Sequence, residues 1–122
     1  MTRIPTVTSC MWHPRPRLRK RWLREFGKDR FTFDEARRAQ TFPDDWLFPD
    51  EKSVKWKWLA EAFPPKVAAY LFNEYVEGED LTLLDLFAGI GGWGLGAVWS
   101  GKFSRIIMVE KDRRKCQYLR YN

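Results

Sequence analysis

Five of the chain's eight glycines fall between Gly89 and Gly96, directly after a short apolar run. The stretch is Leu83–Gly96, LLDLFAGIGGWGLG. Thr82–Phe87, apolar apart from Asp85, predicts a buried parallel strand entering a tight turn. Glycine takes positive φ freely and lets a ligand come close to main-chain atoms. A helix beginning near Gly92 would then aim its first amide groups at that ligand. About twenty residues on, Ser104–Val109 predicts a second strand, and it ends at Glu110. A carboxylate there can accept hydrogen bonds from both hydroxyls of a ribose. Strand, glycine turn, helix, strand and acid together make one nucleoside-binding βαβ unit. Gly89, Gly91 and Gly94 also satisfy G-x-G-x-x-G, so a dinucleotide reading stays open. So does a turn that only connects two elements.

Composition narrows the classes. A chain of 122 residues has room for one domain. It is 44% hydrophobic, with seven Trp and nine Phe, which argues against disorder throughout. No apolar run reaches membrane-spanning length, so no membrane role is expected. Cys10 and Cys116 make neither a disulfide framework nor a zinc site, and His13 is the only histidine. No metal is expected, and a reducing cytoplasm is the simplest compartment. The net charge of +6 is uneven. Residues 1–40 hold eleven basic and four acidic side chains, and the rest hold eleven and twelve. A positive field in the N-terminal third suggests a polyanionic partner.

Taken in order, Ile4–Thr8 reads as a short extended piece. Arg15–Arg24 carries six basic residues and no acid: Arg15, Arg17, Arg19, Lys20, Arg21 and Arg24. Leu18, Trp22, Leu23 and Phe26 on roughly one face predict a basic helix, stopped by Gly27. Phosphate contact and a merely solvated basic face are both open for it. Thr32 with Glu35 three residues on forms a capping box, opening a helix to about Gln40 that breaks before Pro43. Pro43, Asp44 and Asp45 form a turn. From Trp58 the chain reads as a loop, then a helix opened by Pro64 and Pro65. Its apolar stripe is either Val67, Leu71 and Tyr75 or Ala68 and Phe72. Trp93–Trp99 predicts a helix ending at Gly101, and a further helix begins at Arg113.

Three strings resemble motifs of the DNA cytosine-5 methyltransferases. D-L-F-A-G-I-G-G, ending at Gly92, resembles the family's first motif. Asp34–Trp46 resembles its ninth, R-E-A-A-R-L-Q-T-F-P-D-D-W, matching at Glu35, Ala36, Arg38, Gln40 and Thr41 to Trp46. Ala62, Pro64 and Pro65 match the tenth, I-G-N-A-V-P-P, while Ala60, Glu61 and Phe63 depart from it. Glu110 stands at the acid of the second motif, and Lys111 where an apolar residue usually covers the adenine.

The resemblance implies an α/β chain: a partial Rossmann-like S-adenosylmethionine methyltransferase fold with an N-terminal helical segment. Residues 1–50 would be the basic segment with the ninth motif. Residues 51–122 would be the tenth-motif helix plus the βαβ unit, in one incomplete domain. S-adenosylmethionine would contact Phe87, Ala88, Gly89, Ile90, Gly91, Gly92, Glu110 and Lys111. DNA would lie along Arg15, Arg17, Arg19, Lys20, Arg21 and Arg24. Glu61 would sit near the cofactor's methionine end, where a carboxylate needs an offsetting cation.

The motif order is unusual, since nine and ten precede one and two, as in a circular permutation. The family's nucleophile is a Cys after a Pro, whereas Cys10 follows Ser9 and Cys116 follows Lys115. The Glu-Asn-Val motif is absent as well. The implied function is therefore the cofactor side of a permuted or split methyltransferase with no catalytic residue of its own. It would need a second polypeptide or self-association. Trp93, Trp99 and Tyr118 would lie near unfilled space, and the last helix would cover one sheet face. A noncatalytic accessory protein, or another nucleotide-binding protein using the glycine turn alone, stays open.

Overall fold

Pro16 and Gly27 set the limits of the first helix, α1 (Pro16–Phe26). Proline suits the first helical position because its missing N–H has no partner there anyway. Gly27 closes the helix at φ 71°, its N–H donating to the Leu23 carbonyl. The structure, a computed structural model, describes residues 15–122. The extended piece expected at Ile4–Thr8, Cys10 and His13 lie outside the described residues. Trp22 is buried, with Leu18 and Phe26 packed beside it. Leu23, expected on the same face, is instead 58% exposed. Positions 18, 22 and 26 stack along one helical stripe, and Leu23 is rotated away by about 100°.

α2 (Phe33–Ala39) begins with the capping box read from sequence. The Glu35 N–H donates to Thr32 Oγ1 at 3.2 Å, and the Thr32 N–H donates to Glu35 Oε2 at 2.9 Å. In the following turn the Trp46 N–H donates to the Pro43 carbonyl. α3 (Lys52–Glu61) corrects the reading from Trp58 onward, because Trp58–Glu61 is its last turn rather than a loop. Burial drives this helix, with Trp56, Trp58 and Leu59 all in the core. α4 (Pro65–Tyr75) buries Ala68 and Phe72. Of the two candidate stripes the second is therefore inside, and Val67 and Tyr75 are exposed.

β1 (Leu81–Asp85) and β2 (Phe103–Met108) pair in parallel, joined by α5 (Gly92–Ser100). Both strands start and stop one or two residues earlier than expected. Gly101 ends α5 at φ 69°. α6 (Arg113–Tyr121) is capped by Asp112, whose carboxylate accepts the Arg114 and Lys115 N–H groups. The described fold is α/β, with one small parallel sheet and its crossover helix, preceded in the chain by four helices and followed by a fifth.

Two cores hold it. One gathers Trp22, Ala36, Phe42, Trp56, Trp58, Leu59 and Ile90, so the N-terminal helices and the glycine turn share an interior. The other joins Ala68 and Phe72 of α4 to Ala97 of α5, with Leu83 and Ile106 of the sheet against them. The opposite sheet face stays open: Leu84 and Ile107 stand side by side in register, 56% and 42% exposed. α6 does not cover that face. It docks instead on Trp58 through Tyr118 and on the Leu47 backbone through Asn122. Tyr118 is therefore packed, contrary to expectation, whereas Trp93, though stacked on Phe63, borders an open cavity and Trp99 is 42% exposed.

Candidate functional site

The glycine turn is built by close packing as much as by backbone freedom. A Cβ on Gly92 would lie 2.0 Å from the Phe63 carbonyl oxygen. The Pro-opened segment is thus pressed directly on the start of α5. Phe63 stacks on Trp93 at 4.2 Å with the rings 15° from parallel. One turn on, a Cβ on Gly96 would meet Ala68 Cβ at 2.4 Å and the Pro65 carbonyl oxygen at 2.7 Å. These two glycines let α4 and α5 approach closely enough to bring residues 61–63 to the turn. Gly89 differs: it sits at φ 57° with nothing within 4 Å of a Cβ. Its backbone faces open space.

That space is a cavity of about 620 Å³. Its walls come from Trp58 and Glu61 to Phe63 on one side, Leu86 to Ile90 with Gly92 and Trp93 on another, and Val109 to Lys111 with Lys115 on the third. Of the residues expected to bind a nucleoside cofactor, Phe87, Ala88, Gly89, Ile90, Gly92, Glu110 and Lys111 all line it. Gly91 does not. It is buried at φ 94° beneath Leu119 and Trp46, and borders a separate, apolar cavity of about 280 Å³.

Glu110 is the fixed point of the larger cavity. Its Oε2 accepts the Gly89 N–H at 2.8 Å and its Oε1 accepts the Asp112 N–H at 2.9 Å. Both bonds are to backbone, so the carboxylate is held across the ends of β1 and β2. Each oxygen keeps acceptor capacity toward the cavity. The Cys116 thiol donates to the Glu110 carbonyl at 3.2 Å. Phe87 leaves its ring 89% exposed at the rim.

Glu61 is paired with two lysines. Lys115 Nζ lies 3.1 Å from Glu61 Oε2, and Lys57 Nζ lies 3.9 Å from Oε1. Sequence reading found Glu61 but missed Lys115, which reaches it from a different helix.

The turn is braced from outside by residues whose role sequence reading also missed. Trp46 Nε1 donates to the Ile90 carbonyl at 3.0 Å. Gln40 Nε2 donates to the Ala62 carbonyl at 2.7 Å, satisfying a free acceptor at the end of α3. Thr41, held at φ 67°, accepts the Lys66 N–H on its hydroxyl at 3.0 Å, at the start of α4. Asp44 accepts from Arg38 and Arg37, and Arg38 above all holds its carboxyl below the usual range. The string Gln40 to Trp46 therefore positions both walls of the cavity. Trp46→Phe is expected to lose about 1–2 kcal/mol of stability, because the Ile90 carbonyl is left without its donor. Thermal unfolding measures it, and an unchanged midpoint would remove this brace from the account.

The basic helix divides. Arg19 is bound to Asp29, and Arg21 Nε donates to Glu25 at 2.9 Å. Arg15, Arg17, Lys20 and Arg24 are exposed. No group of His, Cys, Asp and Glu able to hold a metal ion is found among the described residues. No helix among them is long and apolar enough to cross a membrane.

Residues 6–77 match the model of the C-5 cytosine-specific DNA methylase family, and the chain belongs to that family. The match ends before β1, so the glycine turn lies outside it. Comparison with curated proteins gives no match.

Proposed function

We propose that this chain forms the adenosylmethionine-binding side of a permuted or split DNA cytosine-5 methyltransferase. The observation that carries this reading is the shared cavity. Segments resembling the tenth, first and second motifs of the family line it together, although the tenth precedes the first and second in this chain. The residues fit such a cofactor. Glu110 offers a fixed acceptor for ribose hydroxyls, and Gly89 leaves open space beside the backbone. Phe63, Trp93 and Trp58 offer aromatic faces, which suit both an adenine and a sulfonium cation. When bound, the cofactor supplies an activated methyl group. The chain's residues bind and orient it. The strand–helix–strand unit would then be the start of a Rossmann-like sheet, and the open Leu84–Ile107 face would be covered by further structure.

No cysteine in these 122 residues follows a proline, so the nucleophile would come from residues on a second polypeptide or elsewhere. Cys116 is engaged with the Glu110 carbonyl. Titration with S-adenosylhomocysteine and, separately, NAD tests the cofactor class. Binding of the first alone is expected. Binding of NAD alone would replace this reading with that of a dinucleotide protein.

DNA is the proposed substrate, held in part by Arg15, Arg17, Lys20 and Arg24 along α1. Arg19 and Arg21, already paired within the chain, would contribute less. Changing the four exposed residues to Ala should weaken binding uniformly across DNA sequences and flatten its salt dependence. Affinity measured at two salt concentrations is the check. An unchanged salt slope would leave α1 as a solvated face.

A further inference from the structure

We propose that the open face of the sheet seats an amphipathic helix of another polypeptide, acidic at both ends of its apolar stripe, and that this helix closes the large cavity. The closing step rests on the adenosyl-cofactor reading and deepens it; the seat itself does not. The sheet is apolar on both sides. Leu83 and Ile106 pack into the second core with α4 and α5. Leu84 and Ile107 face the other way, in register with each other. Parallel strands that are apolar on both faces are normally covered on both. The ladder runs on past the strand ends. The Val109 N–H donates to the Asp85 carbonyl at 2.8 Å, and the Ala88 N–H donates to the Val109 carbonyl at 3.0 Å. Alternation therefore adds Leu86 and Val109 to the open row, and they are 55% and 47% exposed. Four aliphatic side chains exposed side by side mark a contact surface. Leu86 and Val109 also line the large cavity. Whatever sits on the row therefore becomes a wall of that cavity.

Charge selects the occupant. Along β2 and beyond it the open series reads Arg105, Ile107, Val109, Lys111, all exposed. A cation stands at each end, and neither has an ion pair among the described residues. Glu110 does not offset them on this face, because its carboxylate is held by the Gly89 and Asp112 N–H groups. Two copies of the chain laid face to face would set cation against cation in either direction, so the row disfavours its own copy. A partner with an acid at each end is complementary. Arg105 and Lys111 lie six residues apart, roughly 20 Å at about 3.3 Å per extended residue. A helix covers that distance in about thirteen residues. Helices are also the usual cover of a parallel sheet.

The test uses the 122-residue chain and three labelled synthetic peptides, each long enough for about five helical turns. The first has a leucine stripe with Glu at both ends of it. The second has Lys in place of both Glu, and the third is a scrambled form of the first. Fluorescence anisotropy should show the first binding, the second weaker by roughly tenfold or more, and the third not at all. Leu84→Asp should weaken the first peptide by roughly tenfold or more. It should leave S-adenosylhomocysteine affinity, measured without peptide, within about twofold, which shows that the variant is folded. Arg105→Glu should shrink the preference for the first peptide over the second to roughly threefold. With the first peptide at saturation, the chain should bind S-adenosylhomocysteine about fivefold to tenfold more tightly, and the reverse coupling should be equal. Equal binding of the first two peptides, or binding of none, overturns the seat. Self-association of the chain that Leu84→Asp abolishes overturns it in favour of a second copy. Peptide binding that leaves S-adenosylhomocysteine affinity unchanged overturns the closing step alone. Failure of S-adenosylhomocysteine to bind with or without peptide rejects the cofactor reading, and the peptide series still decides the seat.

Discussion

Gly92→Ala is expected to destabilise the chain by about 3 kcal/mol or more, or to prevent folding. The added methyl would sit 2.0 Å from the Phe63 carbonyl oxygen, and Phe63 C and N lie within 3.3 Å of it. Backbone atoms cannot turn aside as a side chain can. Relief requires residues 61–63 to leave the start of α5, which unstacks Phe63 from Trp93 and opens the cavity wall. Gly96→Ala should behave similarly, since its neighbours are Ala68 Cβ and the backbone of Pro65 and Ala69. Gly94→Ala is the contrast. Its nearest atom is Met108 Sδ at 2.6 Å, the flexible end of a long side chain. Met108 is 39% exposed and has room to move. Alanine also gains about 0.5–1 kcal/mol over glycine inside a helix, so the net change at Gly94 should be small. Chemical denaturation of the three variants measures the difference. Equal effects at Gly92 and Gly94 would mean that backbone apposition is not what the glycine turn is built for.

Glu110→Ala is expected to reduce affinity for S-adenosylhomocysteine by roughly a hundredfold or more. Two ribose hydroxyls donating to one carboxylate lose their acceptor together. The substitution also frees the Gly89 N–H, whose bond to Oε2 is 2.8 Å long. Some destabilisation follows, about 1–2 kcal/mol. Asp112→Ala separates the two effects. Asp112 caps α6 through the Arg114 and Lys115 amides and does not line the cavity. Its loss should cost about 1 kcal/mol and leave ligand affinity nearly unchanged. If both variants bind equally well, Glu110 is a structural clamp between β1 and β2 and not a ligand residue.

What could be read from sequence was what local chemistry dictates. Thr32 and Glu35 lie three residues apart, and their reciprocal bonds need nothing else. Gly27 and Gly101 end helices for reasons internal to one turn. The strand–glycine–helix pattern at Leu83–Gly96 has a period change that few other structures produce. α3 misled because Val54, Trp56 and Trp58 alternate with lysines, a spacing of two that hides a helix buried on more than one side. The missed parts of the site share one property. Trp46 and Ile90 are 44 residues apart, Gln40 and Ala62 are 22, and Lys115 and Glu61 are 54. No periodicity joins them, because only the packing of α4 on α5 and of α6 on Trp58 brings them together. The family strings did carry a trace of it. Gln40, Thr41 and Trp46 all match the ninth motif, and all three prove to hold the tenth-like segment and the glycine turn in place. Leu23 shows the reverse error: an apolar residue counted into a face that ends one position earlier.

The central claim is that the glycine turn and Glu110 together bind an adenosyl ligand. Backbone amide spectra of the isotopically labelled chain, recorded as S-adenosylhomocysteine is added, test it most directly. The amides of Gly89, Gly92 and Glu110 should shift together with a single saturation curve, while those of α1 stay in place. Shifts confined to α1, or a turn whose amides stay unmoved at saturating ligand, would contradict it.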